Sequence, residues 1–151
     1  MSLRYAYQPI PVGHAVVPLG GRWVRPRPLV AVTVLGPTSS RIRDAVLDTA
    51  ADDTIFSEIL AAQIGLDLTN APAGVGAGVG MSNIPLRYGQ VRLRLTDGRE
   101  QREWFAWVGF TTLRIPYPML GFAGCLQFFT STFHGDREEL ELTVNRLYSG
   151  T

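Results

Sequence analysis

The chain has 151 residues, enough for one domain with a real core, and 46% hydrophobic against 18% charged side chains, which fits a folded globular domain and excludes a disordered tail. A formal net charge of +1 supplies no basic field for nucleic acid, so no nucleic-acid partner is expected. One cysteine, Cys125, lying in an apolar run, and two distant histidines, His14 and His134, exclude a disulfide framework, a zinc site assembled from spacing and a Cys–His dyad; no metal and no other cofactor is expected.

Residues 1–26 are rich in proline, glycine and aromatics. Pro9, Pro11, Pro18 and Pro26, with Pro28 just beyond, oppose a central strand or helix and predict an extended arm with edge strands. Gln8, Pro9, Pro11 and His14 interrupt any apolar run of the signal-peptide kind, and no stretch approaches the ~18 apolar residues of a membrane span. A cytoplasmic, soluble protein with no membrane partner is expected.

Leu29 to Val34 is apolar and β-branched, Gly36 to Ser40 is a turn signal, and Ile42 to Leu47 resumes as a second strand. This hairpin carries Asp48 to the end of a buried strand, where Asp-Thr-Ala-Ala-Asp-Asp-Thr (48–54) must turn sharply. Ser57 to Ile64 predicts a helix capped by Ser57, with Ile59, Leu60 and Ile64 on one face and Gly65 as its stop. Gly74-Val75-Gly76-Ala77-Gly78-Val79-Gly80 follows; it lacks the G-x-G-x-x-G spacing and the helix of a dinucleotide site, and by composition alone it also reads as a flexible linker.

Alternation resumes in Val91, Leu93 and Leu95, turns at Asp97-Gly98, and returns in Trp104, Ala106 and Val108. Arg87, Arg92, Arg94, Arg99 and Arg102 read as a solvated strand face. A second short helix is predicted over Phe122 to Phe129, burying Cys125, and a hairpin of Thr130 to Phe133 with Leu140 to Val144 closes the chain around Gly135-Asp136. Short strands, frequent turns and one or two short helices predict an all-β, barrel-like single domain over 1–151.

Arg27-Pro28-Leu29-Val30, followed by Ala45-Val46-Leu47-Asp48-Thr49-Ala50-Ala51-Asp52-Asp53-Thr54, resembles the opening of the retropepsin-like (retroviral-type) aspartic proteases. The glycine-rich stretch stands where that family has its flap, and Met119-Leu120-Gly121 is similar to its hydrophobic-hydrophobic-Gly element. These landmarks span roughly 27–133, leaving 1–26 as the arm and 134–151 as a C-terminal strand segment. The resemblance implies an acid-protease barrel, one lobe of a two-fold homodimer, acting as an endopeptidase on extended peptide or protein substrates.

The chemistry suits those residue types. Hydrolysing a peptide without a metal or nucleophilic side chain needs one group to take a proton from water and another to give one to the carbonyl. Two carboxylates a few ångströms apart can do both, because like charges that close cannot both ionise; aspartic proteases are the model case. One chain supplies one such aspartate, so the second must come from another copy across a two-fold axis.

By resemblance Asp48 is catalytic, Thr49 bonds across the dimer axis and Ala50 lies beside the dyad. The backbone of Ala50, Asp52 and Asp53 is implied to pair with the substrate, and Val46, Ala51, Tyr117 and Met119 to line its pockets. Val75, Gly76, Ala77, Gly78 and Val79 are implied to close over it as a flap. The chain departs from the family in two places: Ala50 stands where glycine is usual, and Phe122 where an arginine often pairs with the acid at Asp52. Arg27 of a second copy is therefore expected to take that acid. Two alternatives stay open, a retropepsin-fold module that holds a peptide without cleaving it and a structural domain. Asp48-Thr49 also reads as a turn-forming pair.

Overall fold

The computed structural model describes residues 1–78 and 81–151, with backbone alone at 78, 81 and 82. In chain order the strands are β1 (Ser2–Ala6), β2 (Gln8–Val16), β3 (Arg22–Arg27), β4 (Leu29–Leu35), β5 (Ser40–Leu47), β6 (Ile55–Ser57), β7 (Ala73–Gly78), β8 (Met81–Thr96), β9 (Gln101–Thr111), β10 (Met119–Leu120), β11 (Phe129–His134) and β12 (Glu139–Val144), with helix α1 (Glu58–Ile64) after β6.

Period-two alternation builds the main sheet. Val30, Val32 and Val34 of β4, Ala45 and Leu47 of β5, Val91, Leu93 and Leu95 of β8, and Trp104, Ala106, Val108 and Phe110 of β9 all turn inward into one buried cluster. Burying each large side chain contributes about 1.5–3 kcal/mol. The sheet runs β4-β5-β10-β6-β9-β8-β7, and β8 also pairs with β4 (Val32 opposite Leu95), so six strands close into a ring with β7 appended to β8. The short β10 runs parallel to β5 and antiparallel to β6, which brings the end of β5 next to Leu120.

On the outer face the arginines are matched locally. Arg92 and Arg94 both bond Glu103, at 3.0 and 2.7 Å, and Arg92 lies over the Phe105 ring. Arg87 lies near Glu58 and Arg102 near Glu100.

Residues 1–26 divide. β2 and β3 form a separate two-stranded ribbon, in keeping with the predicted arm, but β1 adds to the β11–β12 hairpin and Leu3 is 1% exposed within the main core. The first strand is therefore part of the domain, because its apolar Leu3 pairs with Leu142 on β12.

Two helical expectations need correction. In α1 the Ser57 hydroxyl accepts from the Ile59 amide and the Gly65 amide returns to Ala62, but the inward residues are Leu60, Ala61 and Ile64. Ile59 is 69% exposed, one helical step round from the i, i+4 pair Leu60 and Ile64. Over Phe122–Phe129 only a single 3₁₀ turn forms, Leu126–Phe128. There the Gly124 carbonyl accepts from Trp104 Nε1 and its amide donates to Gln127 Oε1, so groups a helix would use are bound to side chains. No helix among the described residues is long and apolar enough to cross a membrane.

Candidate functional site

The segment 48–54 leaves the end of β5 and is fixed by backbone bonds on both sides. Leu47 N donates to Pro28 O, Val46 N to Pro118 O and Asp48 N to Leu120 O. Beyond the turn, Phe122 N donates to Ala51 O, Ala123 N to Asp52 O, Thr54 N to Ala123 O, and Gly109 N to Thr54 O. Gly121 sits so close beneath this loop that a methyl group there would lie 2.2 Å from the Asp53 carbonyl oxygen and 2.7 Å from that of Ala51. Only a residue without a side chain lets β10 and the loop approach to hydrogen-bonding distance.

Within the loop Asp48 is half-buried. Its Oδ1 accepts from the Ala50 amide at 2.9 Å, and its carbonyl accepts from Ala51 N at 3.2 Å. Thr49 and Ala50, at the apex, are exposed, while Ala51 is buried beneath them. Among the described residues the non-glycine positions with positive φ are Asn83 and Glu138, so Ala50 adopts ordinary backbone and its methyl carries no left-handed strain.

Asp52 is exposed and Asp53 half-buried. Among the described residues no ion pair involves Asp48, Asp52 or Asp53, and Phe122 is exposed. Arg27 is exposed at the foot of the ribbon, opposite Gln8. The Asp53 carboxyl instead accepts a hydrogen bond from the Tyr88 hydroxyl at 3.3 Å. Burial pushes its pKa above the ordinary carboxylate value, the Tyr88 bond pulls it down, and the neighbouring Asp52 charge raises it again.

Gly74 to Gly78 of the glycine-rich stretch are paired strand rather than linker. Ala73 faces Arg87, Gly74 faces Leu86, Val75 faces Pro85 and Gly76 faces Ile84, with an irregularity before Gly78 meets Met81. Val75 and Ala77 are exposed; Val79 lies outside the described residues. The foot of this hairpin packs on the residue that follows the loop. Ile55, Ile84 and Leu86 form a second buried cluster, with Tyr88, Ile115 and Met119 against it.

No family model matches the chain, and no curated protein matches it. Asp48 to Asp53 share one loop; Met119 lies beside Val46 and Ile55 in adjacent strands; Gly76 stands over Ile55; Tyr117 is half-buried just before Met119. Tyr88 was not singled out from sequence, though Ile84, Leu86 and Tyr88 fall on one face at period two. Among the described residues no group of three His, Cys, Asp or Glu side chains is placed to hold a metal ion.

Proposed function

We propose that the chain is one subunit of a retropepsin-like homodimeric aspartic endopeptidase, hydrolysing extended peptides through two Asp48 carboxylates. The observation that carries the reading is the state of the Asp48 loop: backbone bonds and Gly121 lock both its flanks, yet its apex is exposed and, among the described residues, the Asp48 carboxylate accepts from one donor. A closed ring of strands, a paired hairpin resting on Ile55 and Met119-Leu120-Gly121 pressed under the loop support it further.

In this reading one Asp48 carboxylate takes a proton from water as the water oxygen attacks the scissile carbonyl. The partner copy's protonated Asp48 gives its proton to the carbonyl oxygen. Collapse of the tetrahedral intermediate then returns a proton to the departing amine. Thr49 holds the paired loops, the edge of Ala50, Asp52 and Asp53 pairs with substrate backbone, and Val46, Ala51, Tyr117 and Met119 form its walls.

A non-catalytic peptide-binding module is the second reading. The methyl of Ala50 at the exposed apex, and the lack of an intrachain cation at Asp52 among the described residues, favour it.

Cleavage of an unfolded protein by the parent and by Asp48→Asn separates the two. The protease reading expects cleavage that the variant loses while keeping its fold. Equal cleavage by both, or peptide binding without cleavage by the parent, contradicts it.

A further inference from the structure

Tyr88 is seated with unusual care for a residue outside the loop. It lies on β8 just above the hairpin, its amide donating to Pro72 O at 2.8 Å and its strand partner on β9 being Gly109. Across the hairpin, Gly74 faces the phenol so closely that a methyl there would lie 2.5 Å from Cε2 and 3.0 Å from the hydroxyl oxygen. With no side chain at Gly74, the ring lies against that strand and its hydroxyl reaches Asp53 Oδ2. The same β8 face presents Ile84 and Leu86 to Ile55. The hairpin foot thus meets the loop through an apolar contact and one polar bond. Among the described residues, that bond is the side-chain hydrogen bond joining Asp53 to the hairpin strands.

We infer that Tyr88 is a positioning residue: through Asp53 it holds the foot of the β7–β8 hairpin in register with the Asp48 loop, so that the hairpin meets a bound peptide already aligned. The kinetic consequence rests on the protease reading above, whereas the mechanical coupling does not. Tyr88 touches no reacting atom. Its loss weakens substrate binding and leaves the proton transfers at Asp48 unchanged.

The test is Tyr88→Phe, which keeps the ring against Gly74 and removes only the hydroxyl, read in two ways. In the full-length parent and variant, amide hydrogen exchange is followed at Gly74 to Gly76. With a peptide substrate, KM and kcat are measured separately. Loss of a hydrogen bond to a carboxylate is expected to raise KM by about five- to tenfold with kcat within about twofold, and to speed exchange across the hairpin. In an Asp53→Ala background the same change is expected to have no further effect on exchange, because the acceptor is already gone. Exchange that is unaltered by Tyr88→Phe, or altered equally in both backgrounds, overturns the coupling while leaving the protease reading intact. A kcat that falls with KM unchanged overturns the positioning role. Coupled exchange in a protein that cleaves nothing supports the mechanical link and removes the protease reading instead.

Discussion

Two aspartates at strand ends, Asp97 between β8 and β9 and Asp48 after β5, are bonded in opposite ways. The Asp97 carboxylate accepts from the amides of Arg99, Glu100 and Arg4, at 2.9, 2.8 and 3.0 Å. Burial pushes its pKa up, but the backbone donors of Glu100, Arg99 and Arg4 outweigh that and hold it below the ordinary carboxylate value. Both of its oxygens are engaged, and what it does is close a turn and fasten β1. Among the described residues the Asp48 carboxylate accepts from one amide, on a loop whose flanks are tied by backbone bonds to Leu120, Phe122 and Ala123. The difference separates an aspartate that builds structure from one held rigid with oxygen lone pairs left over.

Substitution should break the two sites in different observables. Asp48→Asn is expected to lower cleavage at least ~100-fold, the lower bound of what general acid–base catalysis contributes, with stability nearly unchanged because the amide oxygen still accepts from Ala50 N. Asp97→Ala is expected to do the reverse. It should destabilise the fold by about 1–3 kcal/mol through the loss of an acceptor for three backbone donors, while cleavage per folded dimer stays at the parent level. Denaturant unfolding paired with rates at equal dimer concentration reads both; a stability loss in Asp48→Asn as large as in Asp97→Ala would make Asp48 a structural turn residue too.

A smaller effect is expected at the apex. Ala50 has unstrained backbone, so its methyl acts on the substrate rather than on folding. Ala50→Gly is expected to raise the single-turnover rate by up to ~10-fold, less than the ~100-fold attached to a misplacement of about 1 Å, and to lower stability by about 0.4–1 kcal/mol through the freer unfolded chain. An unchanged or slower rate would show a site already fitted to alanine.

The smallest expected effect is in pH dependence, and its sign differs between the two regions. Asp97, with its pKa lowered, contributes stability that is present above the unfolded carboxylate value and lost as pH falls through its folded value. Asp53, with its pKa raised, contributes stability that is complete below the unfolded value and lost as pH rises through its folded value. Between about pH 3 and pH 7, Asp97→Asn should flatten the acid-side loss and Asp53→Asn the loss on raising pH. Changes of slope in the same direction would contradict the opposite environments assigned to them.

The two regions also differ in how far the sequence discloses them. Val91, Leu93 and Leu95 alternating with solvent-facing neighbours, Asp97-Gly98, then Trp104, Ala106 and Val108 state a hairpin locally, and the strands lie there. Ser57 and Gly65 mark the ends of α1 for the same reason. The surroundings of Asp48 depend on partners far along the chain: β10 beside β5, Gly121 under Asp53, Tyr88 reaching over Gly74. No local period encodes those contacts. The loop reads as a site from a resemblance alone and nothing local marks Tyr88, while the helix expected at Phe122–Phe129 failed because Trp104, some twenty positions earlier, takes the Gly124 carbonyl.

The central claim is that the site exists only when two Asp48 loops meet. Cleavage rate per chain, measured on serial dilution alongside sedimentation at the same concentrations, addresses it most directly. The expected result is a specific activity that falls in step with the fraction of dimer; activity per chain that holds constant down to concentrations where only monomer sediments would contradict it.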